Sequence, residues 1–452
     1  MTCPQVTVVG GGITGMAAAW ELVRSGASVT LLEASPRLGG KIAGEQIAGR
    51  WVELGPDAFL ARLPEAVRLC SELGLEHELV GAATESASIW ANGRLRPIPT
   101  GTVLGAPAGL AGLRAVALSG LLSPAGLARA GLDLVLPRRR LGDDPSVGAL
   151  ITSRFGRQVH ERLVDPIVGG IHAGPSSRLS CLAVAPQLLA GARSRRSLLL
   201  GLESSRRSAH PPEPSGTGAT FVSLRGGLAR LVGRLEEALR DAGSHIELGH
   251  EVQELPTSGS PTILTTPAPV TAALLAGISP AAAAELAELQ HASVALAVLR
   301  YPLAAFPGGA VPGGSGFLAP SGEGRLLTAC SFGSSKWPHW AAPLEVVLRI
   351  SAGRWGDGRA MALDDRELVR RLHGELVEAL ELTAEPIAAR VARWPAAFPQ
   401  YRPGHLDKVA RIEAALRRDC PRIHVAGAAY RGVGIPACIG QGRAAARRVL
   451  GL

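Results

Sequence analysis

The sequence is poor in aromatic residues, in closely spaced cysteines and in uninterrupted apolar runs. Phe, Trp and Tyr make up only 4% of the 452 residues, which disfavours sites built as aromatic cages. The six cysteines lie far apart without a C-x-x-C pair, which argues against a zinc site or a disulfide framework and indicates a reducing compartment. The uncharged stretch 255–284 contains five prolines, so it cannot form a membrane-spanning helix.

Acidic residues are also in deficit, and the formal net charge is +9 with a pI near 9.8. A basic balance is typical of proteins that bind nucleic acid, a membrane surface or an anionic substrate. No nucleic-acid-binding module is recognisable and the basic residues are scattered, so we expect no nucleic acid partner. Because the first predicted strand begins at Val6, we expect no signal peptide and a cytoplasmic protein, peripheral at a membrane at most.

The segment Val6–Lys41, VTVVGGGITGMAAAWELVRSGASVTLLEASPRLGGK, predicts a dinucleotide-binding site. Gly10, Gly12 and Gly15 follow a β-rich run in the pattern G-x-G-x-x-G and open a helix. Glycine there lets a pyrophosphate approach the helix N-terminus, where free N–H groups favour anions. A second strand ends at Glu33, which is placed to accept hydrogen bonds from an adenosine ribose. Strand, turn, helix, strand and acid occur in the required order.

Two further segments favour FAD over NAD. RLGGK, at Arg37–Lys41, places cations and open backbone beside a pyrophosphate or the chain that leads to a flavin. AGAAYRGVGIPACIGQG, at 426–442, adds a second glycine-rich turn and the start of a helix. Such a helix N-terminus can stabilise negative charge on a reduced flavin. The sequence therefore predicts non-covalently bound FAD.

The rest of the chain divides by composition. Asn92-Gly93 predicts a two-residue hairpin. Residues 100–201 are mostly rich in Ala, Leu and Gly, which favours packed helices. The alternative is a helical cap that lines an apolar tunnel or rests on a bilayer, with Arg138–Arg140 at the headgroups. The second half of Arg193–Gly218 is predicted to be a flexible loop.

Six further stretches resemble the porphyrinogen oxidase family of the amine-oxidase-like FAD superfamily. They are ELGPDAF (53–59), ERLVDPIVGGIHAG (161–174), SLRGGLARL (223–231), SSKWPH (334–339), RWPAAFPQYRPGHL (393–406) and YRGVGIPACI (430–439). The resemblance covers nearly the whole chain and uses motifs that flavoproteins in general do not share. By pattern the chain is most similar to coproporphyrinogen III oxidases of Gram-positive-type bacteria, which are very similar to protoporphyrinogen oxidases.

The resemblance implies an α/β (α+β) fold with three parts. A Rossmann-like FAD-binding domain of para-hydroxybenzoate-hydroxylase type would comprise 1–75, 216–275 and 395–452. An antiparallel-sheet substrate domain would comprise 76–98 and 276–394, and a helical insertion 99–215 would line a substrate tunnel or face a membrane.

The resemblance also implies the residues that bind FAD. The pyrophosphate would lie over the first glycine-rich turn, Val252 would contact the adenine through its backbone, and Trp394 would help to close the flavin edge. The complete set is Gly10, Gly11, Gly12, Ile13, Thr14, Gly15, Glu33, Ala34, Arg37, Gly40, Lys41, Gly55, Pro56, Asp57, Ala58, Val252, Trp394, Gly427, Val433, Gly434 and Ile435. The chain departs from the family pattern at His172, where relatives usually carry tyrosine, and at Ala437, where some carry an acid.

The implied activity is the oxidation of coproporphyrinogen III to coproporphyrin III in haem biosynthesis, with oxygen as acceptor and hydrogen peroxide as product. Hydride would pass to flavin N5 and a proton would leave a pyrrole nitrogen. Aromatisation supplies the driving force, so we predict no catalytic side chain and no metal.

A substrate with several propionates needs cations, and arginine binds carboxylates through bidentate contacts. The predicted substrate-binding residues are Arg62, Arg94, Arg96 and Lys336, with the cluster Arg193–Arg196 as further candidates. For each, the alternative is an ordinary solvated charge. The histidines His160, His339 and His405 are interpreted as structural or surface groups.

Several alternatives stay open at this point. Protoporphyrinogen is the rival substrate, a quinone is the rival acceptor, and the chain could pair with a second copy of itself as a homodimer. An amine oxidase is disfavoured because Tyr301, Tyr401 and Tyr430 are the only tyrosines, and a carotenoid desaturase would lack RWPAAFPQY and SSKWPH. A flavin-binding accessory protein would use the loop Ser197–Gly218 for partner contact.

Overall fold

A computed structural model describes residues 4–47, 49–138, 141–208, 218–255 and 259–452. The chain divides into two units, each built from separate segments. The first unit comprises Met1–Gly81, Glu213–Gln290 and Leu406–Leu452, and the second comprises Ala82–Pro212 and His291–His405.

The strands of the described ranges are numbered in chain order. They are β1 (Gln5–Val9), β2 (Ser28–Glu33), β3 (Gly44–Ile47), β4 (Arg50–Glu53), β5 (Phe59–Leu60), β6 (Leu79–Gly81), β7 (Ala87–Ala91), β8 (Arg94–Pro97), β9 (Thr102–Val103), β10 (Ala106–Pro107), β11 (Phe221–Leu224), β12 (His245–Leu248), β13 (Thr262–Leu264), β14 (His291–Pro302), β15 (Gly316–Leu318), β16 (Leu327–Phe332), β17 (Glu345–Ala352), β18 (Ala388–Pro399) and β19 (Ile423–Val425).

The helices are numbered in the same way. They are α1 (Ile13–Arg24), α2 (Pro64–Glu72), α3 (Gly109–Leu118), α4 (Pro124–Gly131), α5 (Val147–Phe155), α6 (Arg157–Val159), α7 (Asp165–His172), α8 (Cys181–Val184), α9 (Pro186–Ser194), α10 (Leu198–Ser208), α11 (Ala229–Asp241), α12 (Ala268–Leu275), α13 (Pro280–Ala287), α14 (Gly333–Lys336), α15 (Arg359–Ala362), α16 (Asp365–Leu380), α17 (His405–Asp419) and α18 (Ile435–Leu450). A π-helical turn, His160–Val164, joins α6 to α7, and short 3₁₀ turns occur at Glu76–Glu78, Leu132–Leu134, Leu303–Ala305, Pro307–Gly309, Ser321–Glu323 and Pro338–Trp340.

The first unit contains a parallel sheet of order β12-β2-β1-β13-β19. Val6 and Val8 of the central strand are fully buried, as expected for a parallel strand with both faces covered. Helices α1 and α18 pack closely, since a Cβ added to Gly442 would come within 2.2 Å of the Thr14 carbonyl oxygen. The predicted strand–turn–helix–strand order is confirmed, with α1 beginning at Ile13.

The second unit contains a sheet of order β18-β14-β17-β16-β15-β7-β8, in which only the β15–β7 pair of the described strands is parallel. The predicted hairpin at Asn92-Gly93 is confirmed: both residues have positive φ, 53° and 71°, and they join β7 to β8. Helix α16 begins where the Asp364 carboxylate accepts from the Glu367 N–H at 2.8 Å, and it buries Leu368 and Leu372 against this sheet.

The described residues of 109–138 and 141–208 contain the packed helices α3–α10 of the second unit, as their composition predicted. The loop predicted for the second half of Arg193–Gly218 is wrong at its start, because α10 continues to Ser208. The longer loop Ser197–Gly218 of the accessory-protein alternative is helical from Leu198, with Leu198, Leu199 and Leu202 buried. Apolar residues at that spacing share one helix face, which overrides the polar composition. The rest of the predicted loop, 209–217, and the arginines Arg139 and Arg140 lie outside the described residues.

Candidate functional site

The carboxyl ends of the parallel strands place the first unit's predicted residues at one edge of the sheet. Gly10 follows β1, Glu33 ends β2, Thr265 follows β13, and Gly427 lies just beyond β19. The chain passes from β1 to β2 on one side of β1, whereas β13 pairs with β1 on its other side. The strand order therefore reverses at β1, which makes this edge a topological switch point. Ligands of open α/β sheets bind at such points.

The first glycine-rich turn is held by a threonine that the sequence reasoning missed. Gly10 has φ of 104°, and the Thr265 hydroxyl lies within hydrogen-bond distance of the carbonyl oxygens of Val9, at 3.0 Å, and Gly10, at 2.8 Å. A Cβ on Gly15 would come within 1.9 Å of the Gly10 carbonyl oxygen, whereas a Cβ on Gly12 would meet nothing within 4 Å. Gly15 is therefore needed for packing, and Gly12 faces open space where a phosphate can approach.

The RLGGK loop docks on this turn. The Gly39 N–H donates to the Gly11 carbonyl at 2.8 Å, and a Cβ on Gly40 would lie 3.1 Å from the Cα of Gly12. The Arg37 guanidinium donates to backbone carbonyls of its own loop, including that of Gly40 at 2.7 Å. Arg37 thereby stabilises the loop conformation, in addition to the predicted contact with the cofactor.

The ELGPDAF stretch reaches the same loop. A Cβ on Gly55 would come within 1.9 Å of the Lys41 carbonyl oxygen, and the residues that follow, Pro56, Asp57 and Ala58, are all partly exposed. Preceding them, the buried Glu53 accepts from the Leu228 N–H at 2.6 Å. That bond joins two of the stretches that carry the family resemblance, ELGPDAF and SLRGGLARL.

Glu33 and Val252 lie on neighbouring segments. The Glu33 carboxylate accepts from the N–H groups of Gly11, at 2.5 Å, and Ser35, at 2.8 Å, and its carbonyl accepts from the His250 N–H at 2.9 Å. Val252 lines a cavity of about 240 Å³ together with Thr7, Val9, Leu32, His250, Glu251, Gln253, Glu254, Leu255 and Thr262. Ala34, next to the acid, is exposed. Glu33 and Val252 stay the predicted contacts of the adenosine end.

The C-terminal glycine-rich turn is tied by Gln441, another residue that the sequence reasoning missed. Its carbonyl oxygen accepts from the Arg431 N–H at 3.1 Å, and its amide donates to the Gly432 carbonyl at 3.3 Å. Val433 and Gly434 follow directly, and Gly434 is the N-cap of α18, whose first residue is Ile435. The free N–H groups of that helix terminus are the feature the flavin interpretation requires.

A thiol and an ammonium lie in the same part of the first unit. Burial raises the pKa of the Cys438 thiol, and hydrogen bonding with Thr14 and the charge of Lys41 oppose that increase. Burial lowers the pKa of Lys41, although its side chain reaches solvent. Cys438 thus lies close both to Lys41 and to Thr14, the second residue of α1.

Trp394 belongs to β18 in the second unit. It pairs with Val294, and the pairing of β14 with β18 shifts register between Val294 and Ala292. Ala396 has a positive φ of 47° and its N–H donates to the Ser293 hydroxyl at 3.0 Å. Irregularities of this kind re-aim the side chains beside them.

The predicted substrate cations fall in both units. Arg62 is exposed in the first unit, and in the second Arg94 and Arg96 lie two apart on β8, on one face of the strand. Arg96 lies against Gly120, and its buried Nε has no hydrogen-bond partner. The ammonium of Lys336 is 5.0 Å from the centroid of the Trp337 ring.

The arginine cluster 193–196 is used in part for local structure. Arg193 donates to the Asp143 carbonyl at 2.7 Å, and Arg196 donates to the Leu134 carbonyl at 2.7 Å. These contacts favour the structural alternative for both residues.

The histidines have the environments of structural groups. His160 is within hydrogen-bond distance of the Ser176 hydroxyl at 2.9 Å, and the buried His405 stacks on Tyr401 with ring centroids 4.0 Å apart. His172 is buried at the end of α7, its Nδ1 has no partner, and burial lowers its pKa to about 4. Among the described residues no group of His, Cys, Asp and Glu could hold a metal ion.

These residues fit FAD. Open glycine backbone, a carboxylate at the end of β2 and a cavity beside it would hold the phosphates and the adenosine. Thr265 and Gln441 were not predicted from the sequence because their role is to bind backbone carbonyls. A signal for Thr265 was present, since this residue directly follows a predicted strand, as the motif glycines do. In the described ranges no helix has the length and apolar character needed to cross a bilayer.

Comparison with known proteins gives consistent matches over the full length. The profile of the family described as flavin containing amine oxidoreductase matches residues 13–450. The coproporphyrinogen III oxidase of Bacillus subtilis (strain 168) is 34% identical over 98% of this chain and 97% of its own, and that of Mycobacterium tuberculosis (strain ATCC 25618 / H37Rv) is 36% identical over 98% and 97%. A crystal structure from Exiguobacterium sp. 255-15, of a protein provisionally named protoporphyrinogen oxidase, superposes with a TM-score of 0.87 at 30% identity and covers 99% of both chains.

Proposed function

The chain belongs to the flavin-containing amine oxidoreductase family, and on this premise we propose that it is an FAD-dependent oxidase that converts coproporphyrinogen III to coproporphyrin III in porphyrin biosynthesis. The observation that carries the proposal is the similarity, over nearly the whole length of both chains, to relatives that bear the name coproporphyrinogen III oxidase. The edge of the parallel sheet in the first unit supports it, because its residues fit a flavin dinucleotide.

FAD, when bound, accepts electron pairs from the substrate, so the redox chemistry belongs to the cofactor. The chain's own residues bind and orient it. Glu33 would hold the ribose, the turn from Gly10 to Gly15 would hold the pyrophosphate, and the N–H groups at the start of α18 would favour negative charge on the flavin. Trp394 remains a cofactor contact that is implied by the family resemblance.

The finer details belong to the same proposal. Oxygen accepts the electrons and hydrogen peroxide is released. The protein acts in the cytoplasm, peripheral at a membrane at most, and pairs with a second copy. The domains have the arrangement of the para-hydroxybenzoate-hydroxylase type, with the boundaries predicted from the sequence.

Protoporphyrinogen IX is the second candidate substrate. It is favoured by the structural similarity to the Exiguobacterium protein named a protoporphyrinogen oxidase. The two substrates differ in propionates that are replaced by vinyl groups, so the number of carboxylates a pocket can pair decides between them.

The deciding experiment supplies the purified yellow holoenzyme with either porphyrinogen in air. Porphyrin fluorescence and peroxide are followed together. We expect faster turnover of coproporphyrinogen III, with peroxide formed in step with porphyrin. Faster turnover of protoporphyrinogen IX would assign the second candidate, and bound flavin without turnover of either would refute both.

Two of the predicted substrate-binding cations, Arg94 and Arg96, lie on β8 and can be tested by substitution. Arg94→Gln and Arg96→Gln should each raise the KM for the porphyrinogen about three- to tenfold if they pair a propionate, which is the range of one charge-assisted hydrogen bond in a partly exposed site. An unchanged KM for both would remove them from the pocket.

A further inference from the structure

Two guanidinium groups lie against one indole in the second unit. The Cζ of Arg178 is 4.3 Å from the centroid of the Trp355 ring, and that of Arg402 is 5.3 Å from it. A cation–π contact accounts for either arginine alone. Two cations that share one ring also repel each other, so the arrangement needs a further explanation. We call Arg178 and Arg402 the arginine pair.

Backbone hydrogen bonds hold the arginine pair and its ring in place. The Trp355 N–H donates to the Ala173 carbonyl at 2.7 Å, at a residue with a positive φ of 49°. The Ser180 N–H donates to the Tyr401 carbonyl at 2.7 Å, which ties the turn carrying one arginine to the residue that precedes the other. The platform is therefore defined by the fold rather than by the long side chains.

Asp144 binds the two segments that carry the arginine pair through hydrogen bonds to groups other than the two guanidinium groups. The Asp144 carboxylate accepts from the Ser180 hydroxyl at 2.6 and 2.8 Å and from the Gly404 N–H at 2.8 Å. It also accepts from the Leu182 N–H at 3.1 Å. Its oxygens thus organise the two segments that carry the arginine pair.

The charges of the arginine pair interact unfavourably. Burial and the neighbouring charge of Arg178 lower the pKa of Arg402. Arg178 is exposed and, in the part of the chain that the structure describes, has no carboxylate partner. Arg178 differs in this from Arg325 of the same unit, which is paired with Glu378 at 2.6 Å. A bound anion would turn the repulsion at the arginine pair into attraction.

We propose that the arginine pair and Trp355 form an oxyanion site that takes a carboxylate of the tetrapyrrole, and this inference rests on the proposed function. Guanidinium groups match carboxylates because their N–H donors are planar and parallel. Their position on an aromatic ring, fixed by backbone hydrogen bonds, reduces the side-chain entropy that binding would otherwise cost. The site adds residues that no sequence motif joins, since 178, 355 and 402 lie far apart in the chain.

The test compares R178Q, R402Q and the double variant with R206Q, which removes an exposed arginine of the same unit. We expect each single variant to raise the KM for coproporphyrinogen III about three- to tenfold and the double variant to raise it further, with kcat unchanged. The melting temperature should stay the same or rise, because like-charge repulsion is removed. A structural role alone would lower it. R206Q should change neither quantity.

Unchanged KM in R178Q and R402Q would overturn the proposal. If the glutamine variants do not fold, R178K and R402K decide by the same criterion, because lysine keeps the charge without the planar fork. A raised KM with unchanged kcat supports the site, and an unchanged KM overturns it.

Inorganic phosphate separates the substrate carboxylate from an unspecific oxyanion. Phosphate should raise the apparent KM of the wild-type holoenzyme and have no such effect on the double variant. Binding of phosphate without any KM change in the variants would assign the site to free anions and overturn the substrate proposal.

The two proposals fail in different ways. If the wild-type holoenzyme oxidises neither porphyrinogen, the proposed function fails. The arginine pair is then tested by binding of coproporphyrin III, followed by its fluorescence, in the wild type, R178Q/R402Q and R206Q. Equal affinity in all of them would overturn the inference as well.

Discussion

The two units present their proposed ligand-binding groups in different ways. In the first unit the groups are mainly backbone N–H donors and glycine surfaces at the ends of parallel strands, from Gly10 to the start of α18. In the second unit they are long charged side chains, such as the arginine pair on Trp355. A backbone site depends on local conformation, whereas a side-chain site depends on which distant segments the fold brings together.

The two units also differ in the interactions that stabilise them. The first unit packs α1 against α18 through small residues, and its ion pair of Arg443 and Glu72, at 2.6 Å, keeps a partly exposed carboxylate. The helical part of the second unit surrounds an ion pair of Asp133 and Arg154, at 2.6 Å, whose carboxylate is fully buried. Asp133 is fully buried and also accepts from the Ser197 hydroxyl at 2.6 Å and the Leu199 N–H at 2.8 Å. Substitutions can test this difference directly.

The largest expected effect is that of Asp133→Ala. It leaves the Arg154 guanidinium buried without its carboxylate, and it leaves the Ser197 hydroxyl and the Leu199 N–H without their acceptor. We therefore expect a loss of about 3–5 kcal/mol in the free energy of unfolding. Urea denaturation of the FAD-bound protein measures it. The control Asp241→Ala removes an exposed carboxylate at the end of α11 and should change stability by less than about 0.5 kcal/mol. Equal effects of the two substitutions would contradict the buried-charge account.

The next effect is a pH dependence that belongs to the second unit. Burial lowers the pKa of His172 to about 4, while in the unfolded chain histidine titrates near pH 6.5. The unfolded state therefore takes up the proton first, so this contribution to stability is complete above about pH 6.5 and is lost as the pH falls towards 4, to a total of up to about 3 kcal/mol.

His172→Gln removes the titrating group and should flatten the stability profile between pH 6.5 and 4, measured by urea denaturation across that range. His77→Gln, at a residue whose side chain is 91% exposed, is the control and should leave the profile unchanged. A wild-type slope in the His172→Gln protein would show that other groups cause the dependence.

A pair of glycine substitutions distinguishes packing from ligand space in the first unit. Gly15→Ala places a Cβ within 1.9 Å of the Gly10 carbonyl, so it should cost about 1–3 kcal/mol in stability and weaken FAD binding at least about tenfold. Gly12→Ala meets nothing within 4 Å, so the apoprotein should keep its stability while FAD binding weakens. Flavin fluorescence titration and thermal unfolding measure both.

The matched control is Gly233→Ala, in the interior of α11, where a Cβ meets nothing within 4 Å. It should raise stability by about 0.5–1 kcal/mol through helix propensity and leave FAD affinity unchanged. A Gly12→Ala protein with wild-type FAD affinity would show that the cofactor does not approach this turn.

The smallest effect concerns the threonine behind the turn. Thr265→Val removes the hydroxyl beside the carbonyls of Val9 and Gly10, so we expect a loss of about 1–2 kcal/mol in stability and a several-fold weaker affinity for FAD. Thr265→Ser keeps the hydroxyl and should retain most of both. Equal affinities in the valine and serine variants would mean that the hydroxyl does not position the turn.

The sequence predicted much of the first unit because its signals are local. The order of strand, glycine turn, helix and acid over Val6–Glu33 follows from residues that are neighbours in the chain. For the same reason the hairpin at Asn92-Gly93 of the second unit was predicted, since it follows from the backbone preferences of those two residues alone. The helix 198–208 was missed because its polar composition outweighed the spacing of its buried leucines. The roles of Thr265 and Gln441 were missed because they depend on distant backbone carbonyls.

The sequence by itself thus determined the cofactor class, through glycines and an acid whose spacing is dictated by backbone geometry. It also determined the family resemblance, through short motifs spread over the chain. Only the tertiary structure decided that Thr265 supports the glycine turn and that Arg178 and Arg402 share the Trp355 ring. The physical reason is that backbone conformation depends on near neighbours, whereas the meeting of charged side chains depends on how segments far apart in the chain are packed.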